Sequence, residues 1–173
     1  MRISTNPAAG KAELLSAETK ATIDHWLTKF PDDQAGHRSA LIQALTAAQE
    51  QNGGWLSEDL ISGVADYLKL PPAWAYEVAS FYSMFDLQQV GRHKISICDN
   101  ISCMLNGAEG VVRYVEDKLG IKMGETTADG RITLKKEEEC LAACCGAPMM
   151  VVDGHYHENL TEQKLDEIID GLE

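Results

Sequence analysis

All five cysteines of the chain fall in two short stretches, Cys98-Asp99-Asn100-Ile101-Ser102-Cys103 and Cys140-Leu141-Ala142-Ala143-Cys144-Cys145. Four of them make two pairs, C-x4-C and C-x3-C, with 36 residues between Cys103 and Cys140. An odd thiol count argues against a disulfide framework, whereas thiolates in short-range pairs suit a soft metal centre. Each pair can be carried by one loop, so folding has to bring together two loops and not four segments. Structural zinc prefers tighter C-x2-C knuckles, while iron-sulfur clusters accept wider spacing. A [4Fe-4S] site commonly draws on a compact C-x2-C-x2-C run, which is missing here; two plus two suits the two irons of a [2Fe-2S] cluster. Spacing favours that cluster and leaves structural zinc and unligated or redox-active thiols as alternatives.

The elements that must position these loops can be read on either side of them. His93-Lys94-Ile95-Ser96-Ile97-Cys98 alternates as a strand and delivers Cys98 at its end. Leu105, Ala108, Val111, Val112, Val115 and Leu119 then trace one helix closed by Gly120, which puts Cys103 near a helix start where backbone N–H groups favour negative charge. Asp129-Gly130 turns into a second strand, Arg131–Lys135. Met149–Val152 and His155–His157 flank Asp153-Gly154, a strong hairpin signal. The last helix is expected from Thr161, with Leu160 and Leu165 in staple positions and Leu165, Ile168, Ile169 and Leu172 as its buried stripe.

Upstream, the period is helical. Ser16 caps a helix carrying Ile23, Trp26, Leu27 and Phe30, which Pro31-Asp32-Asp33 ends. Leu41, Ile42, Leu45 and Ala48 mark a second helix, stopped by Asn52-Gly53-Gly54. Ser57 caps a third with Leu60, Ile61, Val64 and Leu68, and Pro71-Pro72 opens a fourth through Trp74, Val78 and Phe81. The expected organisation is α+β: a flexible N-terminus over 1–15, a small helical bundle over 16–86 and a thiol-bearing α/β domain over 87–173.

The series Glu77-Val78-Ala79-Ser80-Phe81-Tyr82-Ser83-Met84-Phe85, Gly91-Arg92-His93, Cys98-x4-Cys103-x3-Gly107, Asp129-Gly130-Arg131 and Glu139-Cys140-Leu141-x2-Cys144-x2-Ala147-Pro148 resembles the thioredoxin-like [2Fe-2S] component of respiratory NADH:quinone oxidoreductase (complex I), known as the E subunit in bacteria and the 24 kDa subunit in mitochondria. The motifs run in the family's order from about Ser16 to the end. The resemblance implies a thioredoxin-like ferredoxin domain with one [2Fe-2S] cluster on Cys98, Cys103, Cys140 and Cys144. It also implies electron exchange with the FMN of an NADH-oxidising partner, the F-type chain of the complex, beside further peripheral-arm subunits. In the family the cluster lies near the flavin and off the main path to quinone. Two departures stand out: Ala142 occupies a position where many relatives have Gly, and Cys145 is an extra thiol beside a ligand. With the C-x3-C spacing met by Cys140 and Cys144, Cys145 reads as a spare thiol. By analogy with thioredoxins, Pro148 is a candidate for a cis peptide bond. The module is shared by diaphorase subunits of NAD-linked hydrogenases and formate dehydrogenases, the alternative assembly.

Composition narrows the partners. A net charge of −12 with no basic cluster disfavours nucleic acid and anionic membrane surfaces. No run approaches the 18 apolar residues of a membrane span, and Met1–Pro7 lacks the apolar core of a signal peptide, so a cytoplasmic chain peripheral to the membrane is expected. With no G-x-G-x-x-G, no Walker motif and no Ser/His/Asp or Cys/His set, no independent substrate-converting site is expected on this chain, which would serve an oxidoreductase as one of its subunits. Glu137-Glu138-Glu139 reads as a solvated acidic run that could otherwise lower a cluster's potential, and His155 and His157 as part of a surface hairpin. Phe81, Tyr82 and Phe85 read as inward packing or a docking patch.

Overall fold

The computed structural model describes residues 10–135 and 140–173; the acidic run Glu137–Glu139 lies outside the described residues. The chain divides into two compact units between Gln89 and Val90.

The first unit is helical: α1 Ala17–Leu27, α2 Gln34–Ser39, α3 Leu41–Gln51, α4 Glu58–Tyr67 and α5 Pro72–Phe81. Starts are fixed by caps. The hydroxyls of Ser16 and Ser57 accept the N–H of Thr19 and Leu60, and Pro72 begins α5, where a missing N–H costs nothing. The short α2 departs from the expectation: Asp33 reads in sequence as a stop signal only, but its carboxylate accepts the Gly36 N–H and so starts a new turn. The chain also enters this unit before Ser16. Lys11–Leu14 forms a 3-10 turn; Gly10 and Ala12 donate N–H groups to the Asp66 carboxylate, and Leu15 is buried. Ile23, Leu41, Leu45, Leu56, Ile61 and Leu68 make the core. After α5, buried Gln49 pins the chain by donating to the Met84 carbonyl and accepting the Asp86 N–H. The aromatics divide: Phe85 joins this core, whereas Phe81 is 78% exposed.

The second unit holds a four-stranded mixed sheet of order β2-β1-β3-β4, from β1 His93–Ile97, β2 Ile132–Lys135, β3 Met150–Val152 and β4 His155–His157. Parallel β1 and β2, in register from His93 against Ile132, need a long crossover, and helix α7 Ala108–Leu119 lies within it. β3 runs antiparallel to β1 and turns into β4 through Asp153 and Gly154, both at positive φ as a two-residue hairpin turn requires. Thr161 caps the last helix, α8 Glu162–Asp170, and Leu160 and Leu165 are buried at the staple positions. Ile95, Ile97, Val115, Ile132, Leu134, Met150, Leu165 and Ile169 fill the core between sheet and helices. This is the α+β class expected.

One expected element is two. The helix read from Leu105 to Leu119 breaks at Asn106-Gly107, where Gly107 takes φ 91, and a separate helix α6, Ile101–Leu105, precedes the break. Leu105 therefore lies outside the buried stripe and is exposed. The hydrophobic spacing runs through the break because Leu105 and Ala108 fit a 3.6-residue period by coincidence of type.

Candidate metal centre

β1 ends at Ile97, and Cys98 follows with its N–H still bonded to the Met149 carbonyl across the sheet, so the strand places this thiol at the sheet's end. Asn100 then starts α6: its side-chain oxygen accepts the Ile101 N–H at 2.9 Å. Within α6, Cys103 faces inward. It is the third residue of that short helix, not the start of the helix through Val115, a correction that follows from the break at Gly107. Cys98 and Cys103 are both buried, packed with Ala108 and Met149, and share a thiol–thiol hydrogen bond. Burial, reinforced by that bond, pushes the Cys103 thiol up to about 11 against an opposing backbone hydrogen bond from Met149.

The second pair stands on the segment before β3. Cys140 and Cys144 are exposed, with their Sγ atoms 3.5 Å apart, and the Ala142 N–H reaches the Cys140 Sγ at 3.4 Å. That bond goes with Ala142 in the left-handed region, at φ 65, which is why a glycine suits this position. Cys144–Gly146 forms a 3-10 turn. The turn is strapped from behind: Asn159 donates its N–H to the Gly146 carbonyl at 2.6 Å and Leu160 donates to the Pro148 carbonyl at 3.0 Å. The Ala147–Pro148 peptide bond is cis. Leu141, Ala143 and Ala147 pack against the apolar cluster that holds Cys98 and Cys103, so both loops meet at one place, and Cys144 lies near enough for its charge to act on Cys103. Cys145 is exposed.

Around one ion, four sulfurs at the zinc–sulfur distance would sit about 3.8 Å from one another. Among the described residues no three His, Cys, Asp or Glu groups converge in that way. The arrangement is one of pairs, and its donor set fits a two-iron centre: two thiol pairs, an apolar wall and a backbone N–H directed at a sulfur. His155 and His157 lie on β4, which forms a hairpin with β3. Sequence reasoning missed Met149, whose backbone serves both Cys98 and Cys103; its only signal was its place at the head of a strand.

Residues 23–173 match the family model of the thioredoxin-like [2Fe-2S] ferredoxins. The chain is 46% identical over 144 residues to the E subunit of NADH-quinone oxidoreductase from Rickettsia felis, covering 83% of this chain and 84% of that one. It is 39% identical over 155 residues to the mitochondrial NADH dehydrogenase [ubiquinone] flavoprotein 2 of Dictyostelium discoideum, covering 90% of this chain and 62% of that one. Among solved structures, an NAD+-reducing [NiFe]-hydrogenase in the air-oxidized state matches with a TM-score of 0.60 at 22% identity; the match covers 79% of this chain and spans only 22% of the hydrogenase chain, a likeness of fold. With motifs, sheet and matches in agreement, the chain belongs to the thioredoxin-like [2Fe-2S] ferredoxin family, among the E subunits of the NADH-quinone oxidoreductases.

Proposed function

We propose that Cys98, Cys103, Cys140 and Cys144 hold one [2Fe-2S] cluster and that the chain is the electron-transfer subunit of an NADH-quinone oxidoreductase. In this reading its partner is an NADH-oxidising, FMN-bearing chain of the F type, within a peripheral assembly on the inner face of the membrane. When bound, the cluster supplies one-electron uptake and release with no substrate bond made or broken. The chain's own residues hold it and shield it. Met149, Ala108 and Leu141 keep water from the Cys98/Cys103 side, and the Ala142 N–H stabilises negative charge on the Cys140 sulfur. Among the described residues no helix is long and apolar enough to cross a membrane, which suits a peripheral component.

The observation that carries the reading is the meeting of two loop-borne thiol pairs at one apolar cluster. The hydrogenase likeness concerns fold alone, whereas the 46% identity to a component of a quinone oxidoreductase favours that assembly over a hydrogenase diaphorase. The test is iron content and visible absorbance of single cysteine variants purified without oxygen. Cys98→Ser, Cys103→Ser, Cys140→Ser and Cys144→Ser should each lose most of the colour at unchanged far-ultraviolet helical signal, while Cys145→Ser keeps it. Full absorbance in Cys144→Ser with loss in Cys145→Ser would move the ligand to the neighbouring sulfur.

A further inference from the structure

The strap behind the second thiol pair carries a charge. Gly146 closes the Cys144–Gly146 turn and is buried, because the side chain of Glu158 lies across its α-carbon. A Cβ at Gly146 would fall 2.5 Å from the Cβ and Cδ of Glu158, and would also meet its Oε2, so the carboxylate rests where only a glycine leaves room. The contact is fixed from the other side as well. Asn159, at φ 51, donates its N–H to the Gly146 carbonyl, and Leu160 donates to the Pro148 carbonyl. An exposed glutamate ordinarily samples many rotamers, and ordering one costs entropy. Here the backbone after Glu158 is tied to the turn and its side chain is laid upon it.

Glu158 is exposed, and among the described residues no Lys, Arg or His pairs with its carboxylate; the Lys164 ammonium goes to its main-chain carbonyl at 3.2 Å. Gly146 is two residues from Cys144, a span of at most about 7 Å, so the carboxylate stands roughly 10 Å from that sulfur. That is about one Debye length, close enough for its charge to be screened in part and felt in part. A two-iron centre on four thiolates gains a negative charge on reduction, so a fixed carboxylate beside it favours the oxidised form. At effective dielectric constants of about 40–80, one charge about 10 Å away shifts a one-electron equilibrium by about two- to fourfold.

We infer that Glu158 holds down the reduction potential of the centre, an inference that rests on the cluster assignment above. Its carboxylate supplies the charge. Gly146, by lacking a Cβ, and the Asn159 hydrogen bond keep that charge beside the Cys144 turn.

The test is an EPR-monitored redox titration of the full chain loaded with its cluster, for wild type, Glu158→Gln and Glu158→Asp. Glutamine keeps the length that covers Gly146 and removes only the charge, so iron content and g values should match wild type. Its reduced form should be favoured about two- to fourfold, a midpoint higher by about 18–36 mV at 59 mV per tenfold change for one electron. Glu158→Asp keeps the charge and should lie nearer wild type than Glu158→Gln does. A role in packing alone would leave the midpoint of the glutamine variant where it is. An unchanged or lower midpoint in Glu158→Gln, a rise accompanied by altered g values, or a midpoint in Glu158→Asp as high as in Glu158→Gln overturns the inference. A wild-type chain that binds no cluster overturns the cluster assignment itself, and this inference with it.

Discussion

Replacing Thr133 by valine should destabilise the sheet unit through one buried N–H group. Thr133 lies inside β2, and its hydroxyl accepts the Gly91 N–H at 2.7 Å while meeting the Thr126 hydroxyl at 2.7 Å. Gly91 is buried, and a Cβ there would meet Arg131 and Ile132 backbone atoms at 3.0 Å, so no space is left for water to replace the lost acceptor. Valine has the shape of threonine without the hydroxyl. Leaving the donor unpaired costs about 1–3 kcal/mol, and the added methyl returns about 0.8 kcal/mol, for a net loss of about 0.2–2 kcal/mol. In a unit the size of Val90–Glu173 that lowers Tm by about 1–16 °C. Because the chain has two units, the melt should be paired with hydrogen exchange of the Gly91 amide, which reports the site itself. Thr133→Ser keeps the acceptor and should keep that amide protected, whereas Thr133→Val should expose it. An unchanged Tm together with a protected Gly91 amide in Thr133→Val would refute this reasoning.

Three further outcomes follow from backbone geometry and charge. Ala142→Gly relieves a left-handed alanine, worth about 1–2 kcal/mol, against about 0.4–1 kcal/mol of added unfolded-state entropy; a net gain should appear as slower iron loss to a chelator. Gly107→Ala places a Cβ at φ 91, and should cost about 1 kcal/mol or more in a urea titration, since the turn between α6 and α7 holds this backbone in the left-handed region. The hydrogen bond that the His93 Nδ1–H donates to the Asp153 carboxylate raises the pKa of His93 against an opposing effect of burial. The folded value lies above the unfolded one, so this contribution is full below about pH 6.5 and is lost as pH rises through the folded pKa. Asp153→Asn, which tolerates the positive φ there, should bring the His93 titration seen by NMR down and flatten that part of the stability profile.

Much of this was legible in the sequence because each signal was local. Ser16, Ser57 and Thr161 announce helix starts through hydroxyls that bond a few residues ahead, and Asp153-Gly154 announces a hairpin through the positive φ both residues adopt. The pairing of thiols by loop could be read from spacing alone. What escaped was set by longer-range or competing terms. The break at Asn106-Gly107 was hidden because Leu105 looked like a core residue, and only the folded chain shows it facing solvent. Helix α2 was hidden because Pro31-Asp32-Asp33 carries a stop and a cap in three residues. The Lys11–Leu14 turn is fixed by Asp66, more than fifty residues away, which no local pattern can reveal. The value of glycine at position 142 became physical only with its φ, which lets its N–H turn toward Cys140.

One two-iron centre per chain, held by four cysteines, is visible to EPR spectroscopy of the dithionite-reduced, anaerobically purified protein, with iron and acid-labile sulfide counted on the same sample. Four cysteines holding such a centre should give two irons and two sulfides per chain, visible bands that bleach on reduction, and a rhombic signal integrating to about one spin per chain. A colourless protein holding one zinc per chain and giving no signal after reduction would contradict it.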